Sequence, residues 1–528
     1  MKQTMKHQSL LSGIKSLGIM LSLGLALASC TKDDVAQNPA TPNEEENKNL
    51  TTFVAGGENK TRTSMDYNSG DFYWEAGDYI YVKDDDGVLQ KSTNAPDQKV
   101  ASFNYKVPGK FTASSSYKIY YFGKNSSNNQ VVIPSAQSQS TPNNTEHFGV
   151  SGDYGTATAT KVTGKNQFGF ELEHQAAYLV FHPYVSNTLL QNCYLTKIEV
   201  SSDNDIASTY TLNASTGTLQ SASTGAAADK EIILSTKGSG AYANGFPLNT
   251  ASDNVAINGA YMVIKPGTHT LKVRYWLKDI STGIEGTVTK AFKAFNYDVN
   301  NYYDIDGNLN IRDYDGDHYY MWDAQEQYWK DYEWTKNLAA GVGQPTLNGN
   351  SSSNYPKSNA DSRWYHEGSG SYFNATHSCA TSPNMNEMTW YAAKGDPRWD
   401  DDELWTTMGH LYKGGMWFKK KAVLQAEGNY NSNTAVDGTD WHTNPTANSW
   451  PASQTLPSAA DANKYFYLPA LGYYLSDQLY GIGIGGWYWS SSANPLDGGG
   501  AYVLALFRGN ANVSSTNRYY GFSVGTFE

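Results

Sequence analysis

Cysteine is scarce: the 528 residues include three, Cys30, Cys193 and Cys379. The last two stand about 190 residues apart in stretches of different composition, so no disulfide framework is indicated. Charge is also thin, at 17% of residues, and acidic side chains outnumber basic ones, 51 Asp and Glu against 39 Lys and Arg. The net charge of −12 repels phosphate backbones and anionic lipid, which excludes nucleic acid as an expected partner. The ten His residues show neither HExxH nor i,i+4 pairing, and neither a phosphate-binding glycine loop nor a nucleophile elbow occurs. Asp304-Ile-Asp306-Gly-Asn308 and Asp313-Tyr-Asp315-Gly-Asp317 look like calcium loops at first sight. Both lack the Gly at the sixth place and the Glu at the twelfth that an EF-hand needs, and Asp-Gly clusters at strand ends are ordinarily turns. No metal, no cofactor and no catalytic residue is expected.

Aromatics, in contrast, reach 13%, with 39 Tyr, and Gly numbers 48, a profile of β-rich extracellular proteins. The length implies three or four domains. At the N-terminus Lys2, Lys6 and Lys15 precede an apolar run from Leu17 to Leu27, too short for a stable membrane span and suited to a signal peptide over residues 1–30. Leu27-Ala28-Ser29-Cys30 matches a bacterial lipobox, which makes Cys30 the expected lipidation site and the acyl chains a membrane attachment. Lys32-Asp33-Asp34 is similar to a surface-export signal, and residues 31–49 are polar enough to form a flexible tether.

From Leu50 to about Asn310, short β-rich runs alternate with Gly, Asn, Ser and Asp clusters. The runs are Tyr79–Val82, Tyr117–Phe122, Gln130–Ile133, Tyr178–Phe181, Thr196–Val200, Glu231–Leu234 and Thr270–Leu277, a spacing that predicts β-sandwiches. Twelve of the fourteen Trp residues lie beyond residue 320, so a different kind of domain begins there. Asp323 stands three residues before Glu326, with Ala324, Tyr328, Trp329 and Tyr332 at helical spacing, which predicts a short helix within a linker over 313–370. A second helix is expected from a cap at Asn386, with Met388, Tyr391 and Ala392 on one face, Lys394 in the last turn and Gly395 as its stop. A third is expected from Asp402, with Leu404, Met408 and Leu411 inward, Asp400 to Glu403 as its N-terminal charge and Gly414-Gly415 at its end. Strands resume from Tyr465.

Three blocks resemble the fimbrillin superfamily of Bacteroidales in their order: Leu50-Thr-Thr-Phe-Val-Ala55 with Lys60-Thr-Arg62, then Phe72-Tyr-Trp-Glu-Ala-Gly-Asp78, then Phe170-Glu-Leu-Glu-His174 with Tyr261-Met-Val-Ile-Lys-Pro266 and Phe295-Asn-Tyr-Asp-Val-Asn-Asn-Tyr-Tyr303. The resemblance covers roughly residues 50 to 312 and implies two transthyretin-like β-domains, 50–165 and 166–312. It also implies maturation by cleavage after an arginine, for which Arg62 is the matching position. Loss of Leu50–Ala55 would leave unpaired backbone and an apolar groove for a strand of another fimbrillin subunit. Cys30 and its lipid would leave with the same propeptide.

Over 371–528, Pro383-Asn-Met-Asn-Glu387, Tyr467-Leu-Pro-Ala-Leu-Gly-Tyr473, Gly486-Trp-Tyr-Trp489-Ser-Ser-Ser492 and Asn517-Arg-Tyr-Tyr-Gly521-Phe-Ser-Val524 resemble the Fibrobacter succinogenes major paralogous domain, itself similar to C-type-lectin-like folds. The whole is then two all-β sandwich domains followed by an α+β lectin-like domain. Trp489, Leu504, Leu506, Phe522 and Val524 suit its core. Tyr488, Asn494, Leu496, Asp497, Tyr502, Arg508, Asn510, Asn512, Tyr519 and Tyr520 are the candidate ligand-binding residues, because Tyr, Asn and Arg combine contact area with adaptable hydrogen bonds. The formylglycine-generating enzymes of this fold need paired thiols, which Cys379 alone cannot supply, and Asn494-Pro495 with Asp497 is only a fragment of a calcium-dependent sugar site. These readings lead to a fimbrial tip adhesin, displayed at the cell outer membrane and on the fimbria, that accepts a strand from the next subunit and binds a host or bacterial surface glycan or protein. The rival is a surface lipoprotein that keeps Cys30 and takes part in nutrient uptake.

Overall fold

A computed structural model describes residues 6–9, 50–56, 64–68, 72–124, 130–213, 216, 219–221, 226–314, 319–333, 355–364, 374–476 and 478–528. Cys30, the tether and Arg62 lie outside them. The described chain is built mostly of β-sheet, and each of the seven runs singled out above forms or overlaps a strand.

The first unit contains β1 (Leu50–Ala55), β2 (Phe103–Pro108), β3 (Ser116–Tyr121), β4 (Gly155–Lys161) and β5 (Gln167–Phe170). They pair in the order β3, β4, β5, β1, β2, so β1 is an interior strand, parallel to β5 and antiparallel to β2. The period of two in β1 buries Phe53 and Ala55 completely. Phe53 stacks on Phe168 at 5.2 Å and meets the edge of Phe111 at 5.1 Å.

In the second unit lie β6 (Ala177–Tyr184), β7 (Cys193–Ser202), β8 (Glu231–Ser235), β9 (Ala260–Ile264), β10 (Leu271–Asp279), β11 (Glu285–Ala291) and β12 (Asn301–Asn308). One sheet runs Lys6–Ser9, β12, β6, β9, and the other runs from Ala136–Ser138 through β8, β7, β10 and β11. Residues 177–183 of β6 and all of β9 are buried without alternation. Their outer face is covered by the first unit, where Phe148 stacks on Tyr178 at 4.9 Å and Phe72 approaches it at 6.0 Å. A strand covered on both faces reads as a continuous apolar run. The two units therefore share one hydrophobic cluster.

The terminal unit comprises β13 (Tyr319–Tyr320), α1 (Met385–Lys394), β14 (Arg398–Thr407), β15 (His410–Lys419), α2 (Lys421–Ala426), β16 (Asn448–Pro451), β17 (Tyr465–Pro469), β18 (Gly485–Ala493), β19 (Gly500–Phe507), β20 (Asn510–Asn517) and β21 (Phe522–Ser523). Its main sheet is ordered β13, β21, β18, β19, β20, β16. Trp489, Leu504, Leu506 and Phe522 are buried. Strands β14, β15 and β17 instead extend the second unit's sheet beyond β11.

Three local expectations are corrected. The helix expected at Asp323–Tyr332 is a series of turns. Asp323 has φ of 52°, and its buried carboxylate accepts from the N–H groups of Thr376 and His377 and from Arg363, so it anchors a loop instead of capping a helix. Tyr319, Tyr328 and Trp329 belong to the terminal core, which places this part of the expected linker inside the domain. The helix expected from Asp402 is the hairpin β14–β15, whose two-residue loop, Met408 (φ 52°) and Gly409 (φ 75°), has the positive dihedrals of a type I′ turn. Leu404, Met408 and Leu411 are inward, Leu404 and Leu411 on the two strands and Met408 in the loop between them, and Gly414-Gly415 lies within β15. The second helix is present, but its cap is Asn384, with Glu387 in a capping box, while Asn386, the expected cap, is buried within the helix; Gly395 follows its last residue. Cys193 and Cys379 are free and buried.

Because Phe53 fills the centre of an aromatic cluster, Phe53→Ala should lower the stability of the first unit by about 3–5 kcal/mol, measured as a shift in its denaturant midpoint. A loss below about 1 kcal/mol would show that β1 is not part of the packed sheet.

Candidate functional site

The ten expected binding residues do not form one face. Tyr488 and Tyr502 are buried, with hydroxyls donating to the carbonyls of Pro469 (2.5 Å) and Thr446 (2.9 Å), so both belong to the frame. That corrects their assignment to the surface. Their strands are covered on both sides, which turns in the tyrosines that a one-sided strand would have shown to solvent.

The other eight divide between the two ends of β19. Asn494, Leu496, Asp497, Tyr519 and Tyr520 gather at the end where Gly500 pairs with Asn517. Arg508 and Asn510 lie at the opposite end, about 25 Å away along the eight-residue strand, with Asn512 between. At the first end Asn494 donates to Ser515 Oγ and accepts from Leu496 N–H, while Asp497 accepts from Gly499 N–H, so both carboxamide and carboxylate shape the turn. Leu496 projects from it, 58% exposed. Tyr519 and Tyr520 are half-buried with ring centroids 5.0 Å apart, and Tyr520 stacks on Phe522. Arg508, at the other end, pairs with Asp401 at 3.1 Å. Ile484 is also exposed there, in the turn that leads to β18, an apolar side chain that a Gly-rich stretch had hidden from sequence inspection.

Beneath α1 the atoms of Ser492, His442 and Asp440 follow the order of a nucleophilic triad. Ser492 Oγ lies 3.1 Å from His442 Nε2, and His442 Nδ1 lies 2.8 Å from Asp440 Oδ1. Ser492 is fully buried and its oxygen also accepts the N–H of Met385, so this chain of bonds fastens the start of α1 to β18.

A buried polar site lies where the terminal unit meets the second. A bulge between Asp400 and Leu404 interrupts the β14–β15 register and turns Glu403 toward β11. Its carboxylate accepts from Thr287 Oγ1 (3.0 Å), Thr289 Oγ1 (2.6 Å) and Thr289 N (2.9 Å), closing an edge that would otherwise offer unpaired backbone. Gly286 permits the approach, since a Cβ there would stand 2.4 Å from the carbonyl oxygen of Asp402. Beside it, Arg274 from β10 donates to Asp400 at 3.1 Å, and Asp400 also accepts from the Trp417 indole. Burial, with Asp400 adding like charge, pushes Glu403 up to about 7.

Next to this junction opens a cavity of 430 Å³. Its charged lining is Lys272, Arg274, Lys290 and Lys420 against Asp306 and Asp400, four positive groups to two negative. Trp417, Tyr465, Leu456 and Pro457 supply apolar walls. Burial lowers the pKa of both Lys272 and Lys290. None of these side chains was a binding candidate in the sequence, because the lining comes from β10, β11, β12, β14, β15 and the segment 456–465, which only the assembled sheet brings together. Among the described residues, no group of three or more His, Cys, Asp or Glu side chains is placed to hold a metal.

No family model matches the sequence, and no curated protein does. Several solved structures are similar. A provisionally named cell adhesion protein from Bacteroides ovatus is 12% identical over 49% of this chain and 91% of its own, with a TM-score of 0.30. The fimbrial anchor protein Mfa2 from Porphyromonas gingivalis is 14% identical over 45% and 80%, with a TM-score of 0.22. A fimbrial protein from Bacteroides ovatus is 11% identical over 90% and 98%, with a TM-score of 0.23. At these values the architecture rests on the strand pairing itself.

The raised pKa of Glu403 sets a sign. The folded state favours the protonated carboxyl, so its contribution is full below the ordinary glutamate range and declines as pH rises through about 7. Between about pH 4.5 and 7.5 the wild type should lose stability at the junction relative to Glu403→Gln, on the order of 1–3 kcal/mol, in denaturant melts of both proteins. Parallel pH profiles would remove Glu403 as the titrating group.

Proposed function

We propose that this chain is the tip adhesin of a surface fimbria. Two transthyretin-like sandwiches take up a strand from the next subunit, and a lectin-like terminal domain binds a glycan or protein on another surface. The observation that carries the reading is the state of residues 522–528. Strand β21 pairs with β13 and bridges to β18, and Phe527 is buried against Tyr391, Phe466 and Tyr488. The Glu528 side chain accepts from the backbone N–H of Lys421. A segment so committed to its own domain is not available as a donor strand.

The acceptor half of the reading draws on the interior place of β1. Cleavage at Arg62 would release β1 together with Cys30, and it would open a slot between β5 and β2 with backbone groups free on both sides and the Phe53 and Ala55 pockets empty. An incoming strand with apolar residues two apart would refill it. Such a subunit would receive a strand and, through residues 522–528, not give one, which supports a position at the end of a fibre exposed at the cell outer membrane. The chain has no catalytic part in this scheme. Binding would use the exposed end of the terminal domain around Leu496, Asp497, Tyr519 and Tyr520.

N-terminal sequencing of the protein recovered from fibres tests the assembly. The expected start is Thr63, and Arg62→Ala should leave the precursor uncleaved and absent from fibres. A mature chain that begins at lipidated Cys30 would instead establish the anchored lipoprotein of the nutrient-uptake type.

A further inference from the structure

The junction cavity has a composition that neither fold stability nor fibre assembly requires. The Lys290 ammonium makes no hydrogen bond or ion pair among the described residues, although the side chain lines the cavity and burial lowers its pKa. Arg274 is more than nine-tenths buried, and its Nε has no partner among the described residues while its terminal nitrogen holds Thr287 and Asp400. A buried cationic donor left unpaired is costly, and such sites are ordinarily completed by a ligand or water. Lys290 and Arg274 both line the same 430 Å³ space, which falls within the roughly 300–1,000 Å³ of small-molecule sites.

The lining narrows the chemistry. Lys272 and Lys420 already donate to the carbonyls of Pro457 and Asn463, so they add positive potential and hold the 456–465 segment in place as a wall. Among the groups that line the space positive exceeds negative, with Glu199 behind Arg274 and Glu403 near Lys290 limiting that excess, so the lining favours one anionic function. Asp306 and Asp400 oppose a multiply charged one, and Asp306 would accept from hydroxyls. Asn310 has its side-chain oxygen occupied by Ser186 and Asn187, which leaves its NH₂ as a donor, and Trp417 and Tyr465 offer aromatic surface beside Leu456 and Pro457. A single carboxylate on a polyhydroxylated ring satisfies all of these demands. A phosphate would meet the two carboxylates without using the amides or the aromatic walls.

We propose that the cavity between β10, β11, β12, β14, β15 and the segment 456–465 binds an acidic sugar, a uronic or sialic acid unit, with Lys290 and Arg274 holding its carboxylate. This site is separate from the exposed terminal end and does not depend on the chain's place in a fibre. Both domains contribute to it, so occupancy would also strengthen their union.

Isothermal titration of the whole chain with the methyl glycosides of glucuronic acid and N-acetylneuraminic acid tests it, with glucose, N-acetylglucosamine and inorganic phosphate as controls. At least one acidic glycoside should bind, the neutral sugars should not, and phosphate should not compete. Lys290→Met should weaken binding by about tenfold, equivalent to about 1.4 kcal/mol. Ala462→Phe, which keeps every charge but fills the space, should abolish it, and the thermal midpoints of both variants should confirm folding. The proposal is overturned if neither acidic glycoside binds, if neutral sugars bind as well, if phosphate competes equally, or if a folded Ala462→Phe protein binds like the wild type.

Discussion

Glu403 and Asp400 close a sheet edge that would otherwise end in water or in another chain. Strand β11 is the last of its unit, and the terminal hairpin meets it through one backbone bridge, Thr287 to Glu403. Side chains complete what the backbone does not, because one carboxylate takes an N–H and two hydroxyls and the other takes Arg274. Removing one partner of such a buried pair strands a charge, at a cost of about 3–5 kcal/mol, so the junction acts as a unit. The terminal domain is consequently set on the second sandwich in a fixed orientation, and the cavity beside it exists only while the two are joined.

How far this was legible in the sequence depends on how many faces of each element are covered. Strands β7 and β10, with one face in the core and one partly in solvent, alternate visibly, and their expected positions match. Where both faces are covered the pattern fails. Strand β14 carries buried residues from Leu404 through Thr407, and a run of that kind with spaced Leu and Met residues suits a helix equally well. Asp400 to Glu403 looked like helix-start charge for the same reason, since nothing local reveals Arg274, which lies more than a hundred residues earlier in the chain. Asp323 misled by its chemistry: the side chain that caps helices serves here as a buried hub for a loop fifty residues away.

The candidate site was legible in composition and not in placement. Tyr and Asn are abundant in the last strands, but whether a tyrosine faces outward depends on what packs above its strand, and α1 with its neighbours covers Tyr488 and Tyr502. The junction cavity had no local signature at all. Lys272 and Lys290 sit in strands as ordinary residues until the 456–465 segment closes over them.

Strand β1 carries a consequence for the order in which the molecule can be built. Its neighbours are residues 103–108 on one side and 167–170 on the other. As synthesis proceeds from the N-terminus, the first can pair early, while the second becomes available only after about sixty further residues have been made. Through that interval one flank of the strand stands unsatisfied, and the first sandwich cannot lock. Closure therefore waits on a contact of long sequence separation, which slows folding and leaves the nascent sheet open to a competing partner until residue 170 arrives.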